Sequence, residues 1–265
     1  MSDHIIEVSP EAKASNDAWV KATKEATTER RIKRHSTLAR ITHAIAGISC
    51  ILLVISGLFV FVPQLNQAIG QNAAFAIRMC HRVIGVIFVA FPIFSAIASP
   101  KGVGHVLKNL FAKWTKDDKK WMILFFPYLF LASWIHMPDQ DESKSGQRIA
   151  DGAIWIFCLL MAFTGVMLII FSTIFENAGF YSVMLTLHDI GFLGICVFGM
   201  AHIFLGAGIF QPYRKGVRGC MYGDGTVSEE AAIYHWGHWA REELASGSNV
   251  IEVPKEKYDK NWDKK

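Results

Sequence analysis

The sequence predicts an all-α integral membrane protein, a four-helix bundle with both termini in the cytoplasm. Three observations predict it. Hydrophobic residues make up 52% of the 265 residues and charged residues 19%, and the two kinds are segregated into blocks where a soluble core would mix them. Four of the apolar blocks are long enough to cross roughly 30 Å of hydrocarbon as helices. Lys and Arg fall on alternate connections, as the positive-inside rule requires.

The polar segment 1–35 ends in the basic run Arg30, Arg31, Lys33 and Arg34 and has no apolar stretch of the kind found in secretory leaders. It reads as an N-terminal extension with no assigned fold. The expected spans are about 41–62, 76–99, 149–175 and 181–210, within a domain of 36–215. Pro63 and Pro100 stop the first two. The segment 101–148 is a lysine-rich cytoplasmic loop containing an apolar stretch, 121–135, broken by Pro127; at that length it reads as interfacial or re-entrant. A polar tail, 216–265, follows on the cytoplasmic side. The connections 63–75 and 172–187 have no Lys or Arg and belong outside. The net charge of +4 is spent at span ends, and no basic patch interleaved with aromatics points to nucleic acid. The five cysteines form no CxxC pair and no CxxCH haem-attachment motif.

Ten histidines are present, and His43, His81, His188 and His202 fall inside the expected spans, where ionisable groups are costly and tend to be functional. Their depths pair. His43 and His202 lie towards the cytoplasmic ends of their spans, and His81 and His188 towards the outer ends. Two levels with two imidazoles each suit two b-type haems, because a porphyrin iron takes one axial ligand on each face. His188 and His202 are 14 residues apart, just under four turns, so they share a helix face with a rise of about 21 Å. Each candidate ligand is followed about one turn later by a glycine (Gly47, Gly85, Gly191, Gly206), which would let a macrocycle approach the helix. Arg78 and Arg82 are candidates for the propionates of an outer haem, and Arg40 for those of an inner one. Asp189 is a candidate for orienting His188. His4, His35, His105, His235 and His238 lie in polar segments and read as solvated, while His136 is a weaker candidate near a quinone.

Several stretches carry a family likeness: Arg40-Ile-Thr-His43, Ile77-Arg-Met-Cys-His81 with Ile84-Gly85, Ser145-Gly-Gln-Arg148, Leu187-His188, Ala201-His202, Tyr213-Arg-Lys-Gly-Val-Arg-Gly219 and Trp239-Ala-Arg-Glu242. Over roughly 35–245 the chain resembles the gamma subunit (cytochrome b556) of membrane-bound formate dehydrogenases. That resemblance implies haem iron held by His43 with His202 at the inner level and by His81 with His188 at the outer. It also implies a site for menaquinone or ubiquinone beside Lys144, Gly146 and Gln147, where Lys144 stands in place of the family's asparagine. The partners it implies are an iron–sulfur subunit and a molybdenum or tungsten catalytic subunit. A hydrogenase or a thiosulfate or polysulfide reductase could use a similar anchor. A haem-free membrane anchor or transporter is the reading from another class.

Overall fold

The computed structural model describes residues 26–131, 134–173, 178–206 and 217–255, with isolated positions before residue 26. Arg214, Lys215 and the end of the expected fourth span, 207–210, lie outside the described residues. Four helices are long and apolar enough to cross a membrane: α1 (Thr37–Phe61), α3 (Gln71–Ala98), α6 (Ser145–Thr173) and α7 (Ala178–Gly206). Each starts three to five residues before its expected apolar block. The reason is that hydropathy marks only the hydrocarbon-matched part, while the backbone ladder continues through a polar first turn. Ser36 shows this: its hydroxyl accepts from Ala39 N and caps α1 ahead of the apolar run.

The connections follow from proline and glycine. Pro63 occupies the first turn of the short helix α2 (Pro63–Ile69), where its missing N–H costs nothing. Gly70, at φ +79°, then turns the chain into α3, a conformation that residues with a Cβ rarely adopt. Pro100 likewise begins α4 (Pro100–Leu110) directly after α3.

The spans form two hairpins, α1 along α3 and α6 along α7, with much sparser contact between the hairpins than within them. Small residues let α6 and α7 close up. A side chain at Gly194 would strike the ring of Phe157, and one at Gly191 would sit 2.7 Å from Met161 Sδ. In the other hairpin Thr42 donates to Leu38 O and meets Ser95 Oγ at 2.7 Å.

The end of the bundle where α1 begins and α7 ends is covered by a compact cap, which the sequence did not lead us to expect. Strand β1 (Thr28–Lys33) is the centre of an antiparallel sheet ordered β2-β1-β3, flanked by β2 (Thr226–Ser228) and β3 (Val250–Pro254). Helices α8 (Val217–Tyr222), α9 (Glu229–His235) and α10 (Gly237–Ser246) complete it. Ile32, Cys220, Val227, Ala231, Ala232, Trp236, Trp239 and Ala240 form its core. Residues 26–35 of the polar N-terminal extension and residues 217–255 of the tail are therefore one folded unit, so the described part of the molecule is mostly helical with one small sheet.

The 101–148 segment is also structured. Glu142 accepts from Asn109 at 2.9 Å and pairs with His105, while Asp117 pairs with His238 at 3.0 Å and Asp139 with Arg241. Helix α5 (Lys116–Leu131) begins before the expected apolar stretch, because its first turn is charged. Trp121 covers Gly146 on α6, and Ser145 donates to Asp118 at 2.8 Å. Residues 132–133, inside the expected 121–135 stretch, lie outside the description.

Candidate functional site

The four span histidines meet in two pairs across the seam between the hairpins. His81 on α3 faces His188 on α7 with ring centroids 6.4 Å apart. His43 on α1 faces His202 on α7 at 6.0 Å. The first pair lies at the end of the bundle away from the cap, the far side; the second lies at the cap side.

The far pair is held by matching devices. His81 Nδ1 is 2.8 Å from Ser56 Oγ, and His188 Nδ1 is 2.8 Å from Thr164 Oγ1. Ser56 directs its hydroxyl to Leu52 O, and Thr164 directs its own to Leu160 O, each at 2.7 Å. A hydroxyl has one proton. With that proton on the carbonyl, the oxygen accepts from the ring, so Nδ1 carries hydrogen and Nε2 keeps its lone pair. Beside each hydroxyl stands a glycine whose missing side chain makes room for the imidazole. A Cβ at Gly57 would be 3.5 Å from His81 Cε1, and one at Gly165 would be 3.4 Å from His188 Cε1. This Ser-Gly and Thr-Gly repetition was in the sequence and was missed. The orienting partner of His188 is thus Thr164, with no contact recorded to the half-buried Asp189.

At the cap side His202 Nδ1 lies 3.3 Å from the Asp151 carboxylate on α6. The edge of Tyr222, on α8 of the cap, approaches His43 with centroids 5.9 Å apart. Arg40, one turn before His43, packs against Gly225 of the cap. Arg34 stacks on Trp236 with Cζ 3.9 Å from the ring centroid and donates to Glu142 O. Burial pulls the Arg34 pKa down. Arg34 Nη1 and Arg40 Nε are buried with no hydrogen-bond partner, so both remain free for an acidic group.

The remaining candidates are spread out. Arg78 is half-buried and lies about 60° from His81 around α3, close to its face; Arg82 is exposed and about 100° away. Lys144 directly precedes α6, and its Nζ is 2.8 Å from His235 Nδ1. Desolvation, then the charge of Arg34, brings the Lys144 pKa down to about 7. Gln147 is exposed. Of the three residues expected beside a quinone, Gly146 is covered by Trp121, while Lys144 and Gln147 stand three residues apart at the start of α6. His235 is 4% exposed and His35 is half-buried, against their expected solvation, because the cap folds over them. His105 and His238 are tied to carboxylates, and His136 is exposed.

Residues 34–217, over half of the chain, match the prokaryotic cytochrome b561 family. The chain belongs to this family. It is an integral membrane cytochrome b, with haem b as its cofactor and electron transfer as its role. No curated protein matches the chain.

The residues present fit the family's cofactor. Two metal–imidazole bonds of about 2 Å each, with the ring radii added, place ring centroids about 6 Å apart on either side of one metal. Both pairs have that spacing. Side-chain room is available too: Gly47 and Gly206 face open space, and Gly85 has only Leu53 at 4.0 Å. Gly191 departs from the expected pattern because Met161 fills its surroundings. Among the described residues no group of three or more His, Cys, Asp and Glu is clustered for a bare metal ion.

Proposed function

We propose that the chain holds two b haems, one in each histidine pair, and carries electrons through them between an iron–sulfur partner and membrane quinone. The observation that supports this most is the pairing across the hairpin seam, at 6.0 and 6.4 Å, on two levels of one bundle. His81 and His188 ligate the far-side iron, with Arg78 and Arg82 the donors nearest its propionates. His43 and His202 ligate the cap-side iron, with Arg40 serving the same purpose. The two levels are about 21 Å apart along α7.

In this reading the cap faces the cytoplasm of a cell whose inner membrane holds the bundle, since the basic connections lie on the cap side. The partner is a formate-dehydrogenase-type complex of an iron–sulfur subunit and a molybdenum or tungsten subunit, docked at the far side. Menaquinone or ubiquinone is reduced at the cap side, near Lys144 and Gln147; Gly146 serves to seat α5. Proton uptake there and electron entry on the far side would separate charge across the membrane.

The test is a reduced-minus-oxidised spectrum and a pyridine haemochrome assay on the purified full chain. The expected result is two haem b per chain. One haem or none refutes the two-site arrangement. Mass spectrometry of co-purifying subunits then identifies the partner, and a hydrogenase in place of a formate-type complex would overturn that part of the proposal.

A further inference from the structure

The two pairs differ in the group that faces the outward ring nitrogen of their ligands. At the far side both imidazoles hand Nδ1–H to neutral hydroxyls, Ser56 and Thr164. At the cap side the group facing His202 Nδ1 is the carboxylate of Asp151, at 3.3 Å. We propose that Asp151 is a positioning residue that tunes the cap-side haem, keeping its potential lower than the same site would have with a neutral partner. The inference rests on the two-haem reading above.

The physical argument starts from charge. A carboxylate beside a ligand imidazole places negative charge next to the ring and favours the more positive state of the metal that the ring binds. The oxidised iron carries one more positive charge than the reduced iron. An anion beside its ligand therefore stabilises the oxidised state more. A hydroxyl oxygen carries only a partial charge, and here it is already polarised by donating to a helix carbonyl. Asp151 is well placed for the role: it lies on α6, the helix packed along α7, and its side chain is only 29% exposed in a lipid-facing bundle. No equivalent anion contacts His81 or His188 among the described residues.

The experiment is a redox titration of the purified full chain, following the α-band and the low-spin haem signals of each site, for the wild type and Asp151→Asn. The amide keeps the shape and removes the charge. The expected result is an upward shift of one haem component, the one lost in His202→Ala, with the other unmoved. If neither component shifts, or if both shift equally, the inference falls. Should the Asn variant lose the cap-side haem, the same titration is run on Asp151→Glu, which keeps the charge but displaces it. A shift confined to the cap-side component is then expected, and its absence overturns the proposal. Conversely, Thr164→Val should move only the far-side component. If the wild type holds no haem, it is the two-haem reading that fails. If haems are present and the potentials do not respond, only the role of Asp151 fails.

Discussion

In the cap, Ile32, Val227, Ala232 and Ala240 are fully enclosed, whereas along α1 and α3 the most enclosed residues are Ser49, Gly57 and Ala74. The two regions are built on different physics. The cap faces water, so it needs a hydrophobic core of its own, assembled from both ends of the chain. The bundle faces lipid, so most of its leucines and isoleucines gain little from turning inward, and its interior combines a few large side chains on α7, Met184, Phe192 and Ile195, with small residues, hydroxyls and histidines. The sparse seam between its hairpins is then no packing defect. It is where the histidine pairs meet.

The sharpest way to break this comparison is to remove one imidazole from each level. His188→Ala should abolish the far-side haem signal and His202→Ala the cap-side one, each leaving about one haem per chain by haemochrome assay. Loss of both haems from either variant would mean that the levels are not independent. Next in size is a cut in the cap core. Ile32→Ala should cost the cap about 2–4 kcal/mol, seen as earlier proteolysis in the tail while haem content stays at two. A parallel loss of haem would mean that cap and bundle fold as one unit. Smaller again is Gly194→Ala. Its new methyl would strike the ring of Phe157, and forcing α6 from α7 should cost about 1–3 kcal/mol. An unchanged thermal midpoint would show that Phe157 swings aside freely.

The bundle was legible because a span announces itself: twenty or so apolar residues have few other uses, and a histidine among them must have a partner. Depth and periodicity carried the pairing of His43 with His202 and His81 with His188. The orienting groups were less legible, since Ser56, Thr164 and Asp151 read as ordinary polar residues until α1 and α6 are packed beside α3 and α7. Asp189 was the tempting neighbour in sequence, but adjacent residues on a helix point about 100° apart and seldom touch the same group. The cap was nearly illegible. Thr28–Lys33 alternates weakly and is mostly charged, and its partners lie about 200 residues away, so neither strand signals the other. Arg31 shows the difficulty. It reads as a solvated basic residue, yet it is buried, donating to Thr226 Oγ1 at 2.7 Å and pairing with Glu29.

The smallest expected effect is one of pH, and it separates the two regions again. His35 sits where the cap meets α1, and its backbone N–H bonds to Gly225 O. Burial, with Arg34 adding to it, brings its pKa from 6.5 to about 4. The fold therefore favours neutral His35. Between pH 6.5 and about 4 the unfolded chain binds a proton that the folded one does not, so cap stability falls as pH is lowered through that window. Below about 4 both states are protonated and the penalty is constant. Asp118 pulls in the same direction. Its pKa is lowered: desolvation opposes ionisation, but hydrogen bonds from Thr115 and Ser145 and the charge of Arg148 outweigh it, so its contribution is lost on acidification. His35→Gln should flatten the acid side of a proteolysis-based stability curve for the cap without moving haem content. If the slope between pH 4 and 6.5 is unchanged, the group responsible is elsewhere, with Asp118 the first alternative, distinguished by Asp118→Asn.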